Sequence, residues 1–244
     1  MKNITFDLSD LHRHGSAFYD YLRLRKHFFV DTLGWDIPHN DAVEMDQYDN
    51  PLAHYSLVLR DGQVIGGARA MPTTSHWGEH TYMLRDAVAG RLPSIPRRVL
   101  GQEIDSPRVW ECTRLVITED LRTHVERARC LSLIVEGLAE TAQRHGASEL
   151  VSLTRLSLMR ALRQLGWPCD RIGTPYASPE DGHTYAVLSM PAARMVRPET
   201  VAAAVAPAAA ALIGSGHQLP LVRPSEFAVL RGPVSAERTF WNCT

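Results

Sequence analysis

Between residues 109 and 166 the chain alternates strand, helix, strand and helix at a spacing that leaves few folds open. Residues 109–118 (Val-Trp-Glu-Cys-Thr-Arg-Leu-Val-Ile-Thr) carry the strongest strand signal in the sequence. A helical face follows, built from Ala128, Leu131, Val135, Leu138, Ala139 and Ala142 and stopped by Gly146. Residues 149–153 are a short apolar run of the buried-strand type, and 156–165 form a short helix ended by Gly166. Two strands joined by a helix at this separation are parallel neighbours with a right-handed crossover. An antiparallel hairpin precedes them: a strand at 54–60, the turn Asp61-Gly62 and a return strand at 63–71. The expectation is therefore an α/β fold, a mixed twisted sheet with flanking helices.

The remaining elements fit around that sheet. Phe18, Leu22 and Phe29 share one face of a helix over 16–33, with Ser16 as its N-cap and Gly34 as its stop. Gly66-Gly67 inside the return strand predicts a bulge or a close approach by another group. The turn-rich stretch 73–107 holds one short helical candidate, Met83–Val88, and reads as a long excursion, either ordered or partly mobile. A last strand is expected at 183–190. The Ala- and Pro-rich tail from Arg197 has a candidate helix at 201–213, interrupted at Pro207.

Charge and cysteine content narrow the function. With 26 Lys and Arg against 27 Asp and Glu, the chain has no electrostatic footprint for nucleic acid or a membrane surface. The start has no apolar run of a signal peptide, and no stretch reaches the roughly eighteen apolar residues of a spanning helix. Cys112, Cys130, Cys169 and Cys243 form no Cys-x-x-Cys pair, so reduced thiols and no zinc site are expected. A cytoplasmic protein is the expectation.

Polar and aromatic residues concentrate in four places: Arg25, Phe29 and Trp35; Asp46 and Asp49; Arg69; and Glu111 with Arg114. Singly, each has a plain structural explanation, such as core aromatics, a capped turn or an outward-facing strand arginine. Glu111 is the exception. A carboxylate among Trp110, Cys112, Leu115, Val116 and Ile117 is desolvated, and a nearby cation such as Arg114 or Arg69 is expected to satisfy it. Glu111 and Arg114 are three apart, and a regular strand would send them to opposite faces. If they share a site, the strand must bulge near Cys112–Thr113.

Taken in order, Arg-x-x-x-Phe, Trp six residues on, Asp-x-x-Asp, a single strand Arg and Trp-Glu-x-x-Arg resemble the acyl-homoserine-lactone synthases, the LuxI-type autoinducer synthases. The resemblance runs from about residue 20 to about residue 195. It implies a three-layer sandwich of the N-acetyltransferase type, with a synthase domain in 1–213 and an extension of unassigned role in 214–244. It also implies transfer of an acyl group from a carrier-protein thioester, or from acyl-CoA, to the amine of S-adenosylmethionine. Lactone closure then expels methylthioadenosine, and no tightly bound cofactor takes part.

On this resemblance Glu111 is the general base. Arg25, Phe29, Trp35, Asp46, Asp49, Arg69 and Arg114 form the S-adenosylmethionine site and an N-terminal clamp. Leu115, Ser152 and Thr154 line the acyl pocket. A Thr154 hydroxyl suits a 3-oxo group, and Leu115 replaces the family's usual aromatic. The inventory suits the substrate: a sulfonium, an ammonium and a carboxylate call for carboxylates, guanidiniums and aromatic faces. Donors for the tetrahedral oxyanion are expected from backbone N–H groups on a splayed central strand.

Two other readings compete. An acetyl-CoA-dependent N-acyltransferase would hold the nucleotide pyrophosphate on a Gly-containing loop after the central strand, yet 117–130 contains no glycine. That favours an acyl carrier protein as donor, with Arg122, Arg127, Arg129, Arg155, Arg160 and Arg163 as a docking patch for its acidic surface. A non-catalytic small-molecule-binding module on the same fold would not need the strand carboxylate at all.

Overall fold

The computed structural model describes residues 1–194. The expected tail helix at 201–213 and the extension at 214–244 lie outside these residues. Seven strands form one sheet in the order β1-β2-β3-β4-β5-β7-β6. They are β1 (Lys2–Asp7), β2 (His54–Arg60), β3 (Gln63–Pro72), β4 (Val109–Ile117), β5 (Glu149–Arg155), β6 (Asp170–Ala177) and β7 (Thr184–Pro191). Every neighbouring pair is antiparallel except β4 with β5, the pair that the crossover predicts. The hairpin turn is of the mirror-image type, with Asp61 at φ 54° and Gly62 at φ 83°, so its twist matches the strands it joins.

Helices cover both faces. On one face lie α1 (Ala17–Arg25), a π-helical continuation (Lys26–Thr32) and the short α2 (Met83–Val88), over a core that includes Phe18, Tyr21, Leu22, Phe29, Tyr55, Leu57 and Leu84. On the other lie α3 (His124–Arg144) and α4 (Leu156–Gln164), over Val58, Trp110, Cys130, Ile134, Leu138 and Leu150. The result is the expected three-layer sandwich. No helix among the described residues is long and apolar enough to cross a membrane.

Some local expectations change and others hold. Ser16 does not cap α1 with its side chain; its hydroxyl donates to Asp20 instead. The helix expected over 16–33 changes from α to π winding after Arg25, a local feature often found near functional sites. The excursion 73–107 is ordered: the Thr73 hydroxyl donates to the Ser106 carbonyl at 2.9 Å, and Arg85 pairs with Asp105 at 3.1 Å and also with Glu103. Strands β1 and β6 were not expected. Gly67 proves to be a close-approach position, since a Cβ there would run into Leu57 Cδ2 and come within 3.1 Å of both the Ser56 carbonyl and Tyr21.

The sheet opens at its centre. β4 and β5 pair only at Val109 with Glu149, Trp110 with Leu150 and Glu111 with Val151. Beyond that, 112–117 and 152–155 diverge, although both strands keep their outer neighbours. Glu111 is therefore the last β4 residue before the cleft.

Candidate active site

The side chains that face the cleft are sorted by one irregularity in β4. Across β3, Arg69 pairs with Thr113 and Gly67 with Val116, so two residues, Arg114 and Leu115, oppose Ala68 alone. This is a bulge, placed one to two residues later than the expected Cys112–Thr113. Its first residue, Arg114, has φ 56°, a left-handed conformation that costs a non-glycine residue about 1–2 kcal/mol. Tyr21 holds it there by donating to the Arg114 carbonyl at 2.8 Å. The extra residue puts the Glu111, Thr113 and Arg114 side chains on the α1 face. Cys112, Leu115 and Ile117 go to the α3 face.

On the α1 face three arginines meet three carboxylates. Arg25 donates through Nε to Glu44 at 2.6 Å and through both terminal nitrogens to Asp49, each at 2.8 Å. Arg69 grips Asp46 at 2.6 and 3.2 Å, reaches Asp49 at 2.8 Å and donates through Nε to the Thr113 hydroxyl. Arg114 closes the ring on Glu44 at 3.2 Å and Asp46 at 2.8 Å. Arg25, Arg69 and Glu44 have no exposed surface, and Asp46 and Asp49 are buried. Burial pushes the Asp46 carboxyl up, but Arg69 and Arg114 outweigh it and hold the group below its usual value; Arg69 and Arg25 do the same at Asp49. The cations also lie over aromatic rings, Arg25 on Tyr21, Arg69 on Tyr48 and Arg114 on Phe29.

Glu44 was not among the sequence candidates, though its signal is present in the spacing Glu44-x-Asp46-x-x-Asp49. Tyr21 and Tyr48, which hold the bulge and face Arg69, were not among them either.

Glu111 is satisfied differently from expectation. Among the described residues no arginine bonds to its oxygens. They take the backbone N–H groups of Met83 and Leu84, at 2.8 and 2.9 Å, from the start of α2. Burial dominates and pushes its carboxyl up to about 7, against the pull of those two amides and of Arg69. Such a group is poised to exchange a proton near neutrality.

Trp35 stacks on Phe29 with ring centres 5.0 Å apart and donates through Nε1 to Asp181 at 3.2 Å. Asp181 also accepts from the Tyr185 hydroxyl at 2.6 Å and from Arg155 at 3.3 Å. The aromatic wall after α1 is thus fastened to the loop between β6 and β7, a link that nothing in the sequence pattern announces.

The acyl-pocket candidates lie on the opposite face. Ser152 and Thr154 alternate with Val151 and Leu153, whose side chains join the α1-face core. They therefore share the α3 face with Leu115 across the cleft, and all three are half-buried. Of the arginines expected to dock a carrier, Arg155 is paired with Asp181 and Arg163 with Asp170 and the Cys169 carbonyl. Arg127 donates to the Leu121 carbonyl, while Arg122, Arg129 and Arg160 are exposed. Among the described residues, no group of three or more His, Cys, Asp or Glu is placed to hold a metal ion.

Comparison with known proteins points to one family. Residues 9–197 match the family model described as autoinducer synthase. The chain is 28% identical over 154 residues to an acyl-homoserine-lactone synthase of Vibrio anguillarum, covering 62% of this chain and 74% of the relative. Among solved structures, TofI in a ternary complex with an inhibitor and MTA superposes with a TM-score of 0.62 at 26% identity, over 79% of this chain and 92% of that one. The CoA-dependent acyl-homoserine lactone synthase BjaI, solved with SAM and isopentyl-CoA, shares the fold: its TM-score is 0.65 at 16% identity, over 83% of this chain and 88% of that one. A family match across most of the described fold, on top of the ion-paired ring and the poised strand carboxylate, places this chain in the autoinducer synthase family.

Proposed function

We propose that the protein is an acyl-homoserine-lactone synthase in which Glu111 is the general base. It acylates the amine of S-adenosylmethionine and then releases the lactone and methylthioadenosine. The observation that carries the assignment of the base is the placement of Glu111: a buried carboxylate poised near neutrality, at the last paired position before the β4–β5 cleft. The substrate amine has a reference pKa of roughly 7.7–8.0, so it needs only modest help to lose a proton. Glu111 accepts that proton directly or through one water. The free amine attacks the thioester carbonyl, the tetrahedral oxygen takes donors from the unpaired edge of β4, and the thiol leaves. In the second step the carboxylate of the acylated S-adenosylmethionine closes on its own γ-carbon and displaces methylthioadenosine.

The remaining roles divide by sheet face. Phe29 and Trp35 offer aromatic surface to the sulfonium and adenine. Arg25, Asp46, Asp49, Arg69 and Arg114, with Glu44, clamp the N-terminal segment beside them. Leu115, Ser152 and Thr154 line the acyl chain.

The preferred donor is an acyl carrier protein. The N-terminal turn of α3, where a nucleotide pyrophosphate would sit, is closed by a capping box. The Thr123 hydroxyl accepts from the Glu126 amide and the Glu126 carboxylate accepts from the Thr123 amide. An anion there would meet that carboxylate. Arg122, Arg129 and Arg160 remain as the docking candidates. The synthase domain is assigned to 1–213 and the location to the cytoplasm.

The test is Glu111→Gln. Turnover to acyl-homoserine lactone, followed by mass spectrometry, should fall by about 10²–10⁴-fold while S-adenosylmethionine still binds. Turnover within a few-fold of wild type would refute the role of Glu111.

A further inference from the structure

Asp86 is a carboxylate that the acyl-transfer scheme leaves without a task. Its side chain is 1% exposed, and it lies on α2, the element that supplies the two amides to Glu111. One oxygen accepts from the Thr81 hydroxyl at 2.7 Å, the Thr81 amide at 3.2 Å and Arg91 at 3.0 Å. The other accepts from the Tyr48 hydroxyl at 3.0 Å and lies 3.1 Å from His80 Nδ1. Burial pushes this carboxyl up, yet the bonds from Thr81, His80 and Tyr48 prevail and keep it below its usual value.

The partners tie three places together. Thr81 stands just before the Met83 and Leu84 amides. Tyr48 belongs to the same 46–49 turn as two carboxylates of the ion-paired ring, and its own amide donates to Asp46 at 2.9 Å. Arg91 and His80 secure the two flanks of α2. Asp86 is thus the point where the excursion 73–107 is fixed to the ring, one helical turn from the groups that touch Glu111.

We propose that Asp86 is a positioning residue: it anchors the 81–84 backbone to Tyr48 and thereby holds the Met83 and Leu84 amides against the Glu111 carboxylate. The consequence has a definite sign. Amide donors favour the ionised carboxylate, so letting them drift raises the proton affinity of Glu111. A base that stays protonated to higher pH loses activity on the acid side only. The other groups acting on Glu111 are Arg69 on β3, Asp46 and Tyr48 in the turn, Tyr82 before α2 and Cys112 on β4. Changing Thr81 alters none of these side chains, whereas changing Asp86 also disturbs the Tyr48 hydroxyl it accepts from, so Thr81→Val is the cleaner variant.

Two variants separate geometry from charge. Asp86→Asn removes a negative charge, which alone would lower the Glu111 value, whereas loss of anchoring raises it. Thr81→Val deletes the 2.7 Å bond and leaves every charge in place. The inference rests on Glu111 being the base, and Glu111→Gln tests that assignment separately. The measurement is kcat/KM for S-adenosylmethionine against pH with the full chain and one fixed acyl donor. The substrate's own amine contributes the same limb to every profile. A carbon-13 carboxyl NMR titration of Glu111, assigned by difference with Glu111→Gln, accompanies it.

The expected result is an acid limb and a Glu111 titration moved up by about one pH unit in both variants, a roughly tenfold loss below the limb with recovery above it. A uniform loss at all pH values, or an unmoved titration, would overturn the proposal and leave Asp86 as simple fold support. If Glu111→Gln keeps its turnover, the base assignment fails, and the NMR titration alone decides whether Asp86 holds the amides.

Discussion

Replacing Arg25 by Met tests whether the ion-paired ring is a structural necessity or an ornament of the site. The guanidinium has no exposed surface, and each of its three nitrogens donates to Glu44 or Asp49 at 2.6–2.8 Å. Met fills much of the same volume but leaves three carboxylates facing two cations, a net buried negative charge. Removing one partner from a buried pair typically costs about 3–5 kcal/mol. With a urea slope of about 2 kcal/mol per molar, the unfolding midpoint should fall by about 1.5–2.5 M at unchanged slope. Arg25→Lys should lie between the two, because it keeps the charge but loses the fork that spans both Asp49 oxygens. Pairing Arg25→Met with Asp49→Asn should recover part of the loss by restoring neutrality, with a coupling of about 0.5–3 kcal/mol. Raising salt should leave the penalty unchanged, since buried charges are poorly screened. A midpoint shift below about 0.5 M for Arg25→Met would put the interaction at the level of an exposed pair and refute the argument.

Two further outcomes follow from the packing. Gly67→Ala pushes a methyl into Leu57 and toward the Ser56 carbonyl, which cannot move aside, and toward the Tyr21 ring. A loss of about 1–3 kcal/mol is expected, read as a drop in thermal midpoint of about 2–12 °C; an unchanged midpoint would contradict the close approach. Leu115→Phe should shorten the preferred acyl chain, each excluded methylene costing about 0.8 kcal/mol in donor competition read by mass spectrometry. An unaltered product profile would remove Leu115 from the pocket wall.

How much was legible in the sequence depended on whether the signal was local. The β4–α3–β5–α4 order, the hairpin around Asp61-Gly62 and the Met83–Val88 helix all follow from periodicity and stop residues within short windows. Strands β1 and β6 did not, because each lies at a sheet edge with little buried surface. In β1 only Phe6 is buried, and β6 has no buried residue. The need for a bulge was legible because Glu111 and Arg114 have the wrong spacing for one face. Its position was not, since it depends on Tyr21 reaching the Arg114 carbonyl from another element. The same holds for Glu111, whose charge suggested an arginine partner. Two backbone amides from α2 meet that need, and backbone donors leave no mark in side-chain composition. Glu44 was hidden for the opposite reason: one more acid in an acidic, polar stretch does not stand out until its partners are placed.

The bulge in β4 has a consequence for how this strand tolerates change. It inserts one step into the up–down alternation, so that everything before Arg114 keeps one phase and everything after Leu115 keeps the other. Substitutions at these positions alter a single side chain. Deleting any one residue between 112 and 115 would instead restore strict alternation, with Val116 and Ile117 keeping their faces, and the α1 face would lose one of the two neighbours the bulge gives it. Removing 112 or 113 takes the Thr113 hydroxyl from Arg69, and removing 114 or 115 takes the Arg114 guanidinium from its carboxylates. The strand is thus permissive in composition but rigid in length, because a count of residues decides whether Thr113 and Arg114 both reach the ion-paired ring.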